Sequence, residues 1–272
     1  MSIAELSNGT KINYNYLKKN DRMETLVIIN GTFNVLQEWE VIVSNLSEQY
    51  LGNILTFDLR NQGGSTKMTE EFSYKDLMED ITLFFEYLGL RDILMVTYSS
   101  GSSFAVDYIV NNPGKVKKLI MGAPVVNPFG IFKNQLISQA SNRFYELGAS
   151  LKDIVVLSLP IMVSGKFLEM IKNDFENIKE GFEANFDKNL MLPFVKAWDQ
   201  NEMTLSKLEK VVNSVETHYI YGEEDIFNAQ VFVQQLQNEF KNIDFYKLQT
   251  GHAFHMENMQ AFIDILKSIV LK

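Results

Sequence analysis

The stretch from Ile93 to Pro124, ILMVTYSSGSSFAVDYIVNNPGKVKKLIMGAP, constrains the fold of this 272-residue chain more than any other. Ile93-Leu94-Met95-Val96 is too short an apolar run for a helix and reads as a buried strand. Small and polar residues follow from Thr97 to Ser103. Helical spacing then takes over, with Phe104, Ala105, Tyr108 and Ile109 on one face. Pro113-Gly114 stops that helix, and Leu119-Ile120-Met121 begins a second buried strand. A strand running through a sharp turn into a helix lifts one side chain clear of the sheet top. Here that residue is Ser99, in Thr97-Tyr98-Ser99-Ser100-Gly101.

Such a turn usually reads G-x-S-x-G, because the backbone approaches itself closely at both outer positions. Gly101 meets that demand, whereas β-branched Thr97 departs from it. The competing reading is an ordinary βα turn with a serine-rich helix start, since Ser is a good N-cap. If the turn is a true elbow, Ser99 should hold a positive φ, which non-glycine residues rarely do.

Strands and helices alternate on both sides of this stretch. Residues 2–17 read as a hairpin about Asn8-Gly9. Leu26 to Ile29 is a strand ending in Asn30-Gly31-Thr32, and Ile54 to Phe57 is a strand ending in Asp58. Residues 73–89 form an amphipathic helix through Leu77, Ile81 and Phe84. Thr217 to Tyr221 is a strand ending in Gly222-Glu223-Glu224-Asp225, and Ile243 to Leu248 is one ending in Gly251-His252. This order predicts a mostly parallel, twisted sheet with helices on both faces. The alternation lapses over 126–213, which reads as an inserted helical cap rich in large apolar residues, among them Phe132, Phe144, Tyr145, Met162, Phe194 and Trp198. The expected division is core (1–125), cap (126–213) and core again (214–272).

Composition narrows the function. Net charge is −9, which argues against nucleic acid and anionic membrane as partners. The absence of cysteine removes disulfides, thiolate metal sites and a Cys nucleophile together. No run reaches the length of a membrane span, Ile154 to Val163 being interrupted by Ser158 and Pro160. A cytoplasmic protein, monomer or homodimer, is expected. No two histidines lie at ligand spacing with a third donor on a shared strand or helix, so neither metal nor cofactor is expected.

Serine acyl chemistry needs a base for the serine proton, an acid to orient that base, and donors for the oxyanion. In an open parallel sheet, residues just past the carboxyl ends of the strands converge on one crevice. Ser99, Asp225 and His252 all occupy such positions, in the chain order Ser, Asp, His. His218 lies inside a strand and His255 beyond the last loop, so both read as structural.

The chain resembles the α/β-hydrolase superfamily of esterases, thioesterases and epoxide-hydrolase-like enzymes. Asn30-Gly31-Thr32-Phe33 stands where that family carries His-Gly-Phe after a strand. Asp58-Leu59-Arg60-Asn61-Gln62-Gly63-Gly64-Ser65 resembles its Asp-x-Arg-Gly-x-Gly-x-Ser turn. Tyr221 to Asp225 resembles the acid turn, and Gly251-His252 with Glu257 resembles the histidine loop.

The resemblance implies Ser99 as nucleophile, His252 as base and Asp225 as acid, with Glu224 in reserve. The backbone N–H groups of Thr32 and Ser100 would form the oxyanion hole. Phe33, Tyr98, Met162 and Phe194 are the expected pocket residues. Asp58 and Arg60 are expected to fix their turn rather than act chemically. The implied activity is hydrolysis or acyl transfer on an ester or thioester with an apolar acyl group, free or carrier-bound. Lyase or cyclase chemistry in the same pocket, and a non-catalytic ligand-binding homologue, are the alternatives.

Overall fold

A computed structural model describes residues 1–125, 143 and 147–271. Eight strands form one sheet: β1 (Ser2–Glu5), β2 (Lys11–Leu17), β3 (Thr25–Ile29), β4 (Asn53–Phe57), β5 (Ile93–Tyr98), β6 (Val116–Gly122), β7 (Glu216–Gly222) and β8 (Ile243–Leu248). Their spatial order is β1-β2-β4-β3-β5-β6-β7-β8. The β1–β2 and β2–β4 pairs are antiparallel, and every other pair is parallel.

The N-terminal hairpin forms about Asn8-Gly9. Leu6 O accepts the Gly9 N–H at 2.9 Å, and within the turn φ is positive at Gly9 (83°) but not at Asn8. The Asn8 side chain is committed elsewhere: Oδ1 accepts from Thr10 N at 3.1 Å and Nδ2 donates to Asp80 at 3.0 Å. A turn with only its glycine in the left-handed region results.

Alternate residues of each strand feed opposite sides of the sheet. Val27, Ile29 and Met95 join one buried cluster with α2 (Tyr74–Tyr87) and α3 (Gly101–Asn111). Leu26, Ile28, Leu94 and Val96 join a second with α1 (Glu40–Ser47). The chain runs from β3 outward to β4, then returns to place β5 on the other side of β3. The loops leaving β3 and β5 therefore diverge to opposite faces and open a crevice at the carboxyl ends of those two strands.

Between β6 and β7 the described residues form α4 (Leu151–Met162), α5 (Gly165–Ile171), α6 (Phe175–Asn185), α7 (Lys188–Trp198) and α8 (Leu205–Ser214). Helices α7 and α8 contribute Met191, Phe194, Leu208 and Val211 to the same cluster as α3. Core packing is thus continuous across the expected boundary at 213. Phe132, Phe144 and Tyr145 lie outside the described residues. The remaining helices are α9 (Gln230–Glu239), the single turn α10 (Phe254–Glu257) and α11 (Met259–Val270). Helix α11 lays Phe262, Ile263, Leu266 and Ile269 against the face that also carries α1.

Candidate active site

The turn after β5 is held in an uncommon conformation. Ser99 has φ of 51°, a region costing a non-glycine residue about 1–3 kcal/mol unless its surroundings enforce it. They do so here: the Ser99 N–H donates to Gly122 O at 2.9 Å, and Ser99 O accepts from Ser102 N at 3.1 Å. Gly101 is required at the end of this turn, since a Cβ there would stand 2.5 Å from Ile29 O and 2.7 Å from Asn30 O. Thr97, fully buried, is accommodated with its Oγ1 2.7 Å from Ser102 Oγ. The serine-rich helix start thus supplies a hydrogen-bond partner for the buried threonine hydroxyl.

Three loops from three strand ends meet at Ser99. His252 Nε2 lies 2.9 Å from Ser99 Oγ, and His252 Nδ1 lies 2.9 Å from Asp225 Oδ2. Asp225 is buried, and its charge is met by further donors: Phe227 N–H at 2.9 Å on Oδ1 and Asn228 Nδ2 at 2.7 Å on Oδ2. Asn228 in turn accepts from the Tyr219 hydroxyl and donates to Pro124 O at 3.2 Å. Neither Asn228 nor Tyr219 was singled out in the sequence. The one available cue was an asparagine three residues after the acid, a spacing shared with many turns.

The histidine loop is wedged between the acid turn and the helical segment. A Cβ on Gly222 would meet Gly251 O at 2.1 Å, so β7 and the loop after β8 touch backbone to backbone. Glu257 Oε1 accepts from Gly251 N at 2.9 Å, while its Oε2 accepts from Ser164 N at 3.1 Å. Glu224, the reserve acid, accepts from Gly165 N at 2.9 Å and so holds the start of α5.

One of the two expected oxyanion donors is engaged. The Thr32 N–H donates to Ser100 Oγ at 2.8 Å, and the two hydroxyls are 2.9 Å apart. Asn30, standing where the resembling family has His, anchors this loop by donating to Phe57 O at 3.1 Å. Asp58 accepts from Leu36 N at 2.8 Å, Asn13 Nδ2 at 2.7 Å and Gly64 N at 2.9 Å. Arg60 grips Asp80 through Nε and Nη2 at 2.7 and 2.8 Å.

The expected pocket residues divide. Phe33, at φ of 64°, is half-buried against Phe182 and Phe186 of the helical segment, and Met162 is also half-buried. Tyr98 and Phe194 are 2% and 0% exposed and present no free face. The Tyr98 ring packs on Trp39 and Phe254, its hydroxyl donates to His252 O at 3.1 Å, and burial raises its pKa far above the usual phenol range. Phe194 packs against Phe104 in the core. Both apolar runs face inward because their periodicity buries them, so they support the site from beneath rather than line it.

Neither of the other histidines hydrogen-bonds to Ser99 among the described residues. His218 pairs with Glu216 at 2.9 Å on β7. His255 packs edge-on against Tyr98, and burial, aided by the charge of His252, lowers its pKa to about 4. Burial also raises the Glu38 carboxyl, whose Oε2 lies 3.9 Å from His255 Nε2. Among the described residues no three His, Asp or Glu side chains cluster as a metal site. No described helix is long and apolar enough to cross a membrane.

A strained turn between β5 and α3, with acid and histidine loops following later strands of a largely parallel sheet, defines a class. Residues 24–259 match the alpha/beta hydrolase fold family, and the chain belongs to it. It is accordingly an enzyme of the hydrolase class. Ethanol acetyltransferase 1 of Cyberlindnera jadinii is 22% identical over 265 residues, spanning 89% of this chain and 78% of that protein. MGS-M2, an alpha/beta hydrolase enzyme from a Medee basin deep-sea metagenome library, superposes with a TM-score of 0.84 at 21% identity, over 98% of this chain and 96% of that one. The esterase EaEST from Exiguobacterium antarcticum gives 0.79 at 17% identity, over 100% and 99%. At these identities the superpositions speak for the fold.

Proposed function

We propose that the chain is a serine hydrolase that cleaves carboxylic esters or thioesters with an apolar acyl part through Ser99, His252 and Asp225. The observation carrying this reading is the unbroken chain from Ser99 Oγ through both ring nitrogens of His252 to Asp225, at 2.9 Å for each link. Asp225 fixes the tautomer with the proton on Nδ1, leaving Nε2 free to take the serine proton. Ser99 Oγ attacks the acyl carbon, and the imidazolium then protonates the leaving alkoxide or thiolate. The Ser100 and Thr32 N–H groups serve the oxyanion, the carbonyl oxygen exchanging with the Ser100 hydroxyl for the Thr32 donor. The described helices α4 to α6 act as a cap over this crevice, with Phe33 and Met162 offering apolar surface to the acyl group.

Resolution of the acyl-enzyme by an alcohol instead of water is the second reading. It is favoured by the similarity to a protein named ethanol acetyltransferase. A fluorophosphonate probe with peptide mapping tests the core of both. Labelling at Ser99, lost in Ser99→Ala with the fold retained, is expected. A panel of esters and thioesters of graded acyl length then reads the substrate. A Ser99→Ala protein that turns over any of them as fast as the parent would overturn the assignment.

A further inference from the structure

One polar atom beside Ser99 has no part in the scheme above. Asn34 lies two residues beyond Thr32 and is 8% exposed. Its Nδ2 donates to Glu38 Oε2. An ionised carboxylate can only accept, so this bond fixes the amide with Oδ1 turned away from Glu38. Glu38 is itself tied down, its Oε1 accepting from Val35 N at 3.4 Å.

The oxygen so oriented faces the space left by Gly31. A Cβ on that glycine would stand 3.0 Å from Asn34 Oδ1 and also 3.0 Å from Ser99 Cβ. Asn34 Oδ1 and Ser99 Cβ are therefore at most about 6 Å apart, which leaves the oxygen within reach of a water standing beside an acyl group on Ser99. Among the described residues no N–H or O–H donates to Asn34 Oδ1. An oriented, unused acceptor thus stands next to the nucleophile.

We propose that Asn34 Oδ1 positions the water that hydrolyses the acyl-enzyme, and so biases the enzyme toward hydrolysis over transfer to alcohols. The proposal rests on the serine-hydrolase reading above. In deacylation the nucleophile's oxygen bonds to the acyl carbon while His252 Nε2 takes its proton. The tetrahedral intermediate collapses, the bond from carbon to Ser99 Oγ breaks, and His252 returns the proton to Oγ. Water carries two O–H groups, one for His252 and a second for Asn34. A monohydric alcohol carries one, which His252 requires, and it presents carbon or a lone pair to Oδ1. Only water satisfies both acceptors. A single neutral hydrogen bond of this kind corresponds to a preference of about 3- to 10-fold.

The test is product partitioning from one acyl-enzyme. The parent, Asn34→Leu and Glu38→Gln are supplied with p-nitrophenyl acetate in buffer containing graded ethanol, and acetate and ethyl acetate are quantified. Asn34→Leu removes the acceptor at similar volume. Glu38→Gln lets the amide turn, because a glutamine can donate as well as accept. The ratio of ethyl acetate to acetate should rise about 3- to 10-fold in Asn34→Leu and by a smaller factor in Glu38→Gln. The burst of p-nitrophenol should change little. A ratio of two products from one intermediate does not depend on the folded fraction, so loss of stability cannot mimic the effect. If Asn34→Leu fails to fold, Glu38→Gln decides. A ratio equal to or below the parent's in the folded variants overturns the role of Asn34 while leaving Ser99 intact. Absence of a burst and of acetylated Ser99 in the parent overturns the serine-hydrolase reading itself.

Discussion

Gly101→Ala puts the architecture of the elbow to a quantitative test. The added Cβ would stand 2.5 Å from Ile29 O and 2.7 Å from Asn30 O, both backbone atoms at the end of β3. Neither can rotate aside. Relief to an ordinary 3.4 Å contact requires the start of α3 to withdraw by about 0.9 Å from β3. That withdrawal separates Ser99 and Ser100, on the β5 side, from Thr32 and Asn34, on the β3 side. A misplacement near 1 Å costs about 100-fold in rate, and overpacking of this kind costs about 1–3 kcal/mol in stability.

Initial-rate kinetics on the preferred ester of the panel, with urea denaturation in parallel, should show both losses, the fall falling mainly in kcat. Gly89→Ala is the matched control. Gly89 has φ of 64° with open space where its Cβ would lie, so it should lose roughly 1 kcal/mol of stability through backbone strain and no activity. A Gly101→Ala protein with the parent's kcat/KM and stability would refute the close packing of β3 against α3.

Three further outcomes follow from the same geometry. Thr97→Val strands the buried Ser102 hydroxyl that now pairs with Thr97 Oγ1; chemical denaturation should show a loss of about 1–3 kcal/mol, with kcat nearly unchanged. Asn228→Ala removes the 2.7 Å donor on Asp225 Oδ2; steady-state kinetics should show kcat reduced by about 10-fold or more, since hydrogen bonds to charged groups are among the stronger ones, and an unchanged kcat would reduce Asn228 to a packing residue. His255, with its pKa lowered by burial from 6.5 to about 4, destabilises the fold on acidification. Below pH 6.5 the unfolded chain binds a proton that the folded one refuses until about pH 4, so stability falls across that window by up to roughly 3 kcal/mol. His255→Gln should flatten that slope in denaturant midpoints measured at pH 6.5 and 4.5. Glu38, raised by burial, acts with the opposite sign and is present in both proteins.

Local sequence pattern was sufficient for the core strands and for placing Ser99, Asp225 and His252 just past the ends of three of them, while their roles came from the family resemblance. Alternate burial along β3 and β5 follows from a period of two, and loops after parallel strands must open on one edge of the sheet. Parallel strands put Ser99, Asp225 and His252 on one edge of the sheet, and the loops after β7 and β8 carry Asp225 and His252 across to Ser99. The positive φ at Ser99 was legible too, from a serine set between a buried strand and a helix with glycine close behind.

What the sequence left open depends on register between distant segments. Ser100 lies 68 residues from Thr32, and no periodicity says that its hydroxyl will take that residue's N–H. Tyr98 and Phe194 read equally well as pocket or core, because a strand or helix pattern gives the buried face but not what covers it. Asn228, Asn34 and Glu38 are ordinary polar residues along the chain. They acquire roles only when β3, β5, β6 and β7 stand in that order across the sheet, bringing Asn228 to Asp225, and Asn34, held by Glu38, to the side of Ser99. Hydrogen bonds demand placement to a few tenths of an ångström, and that precision is set by the packed sheet and not by any local run of residues.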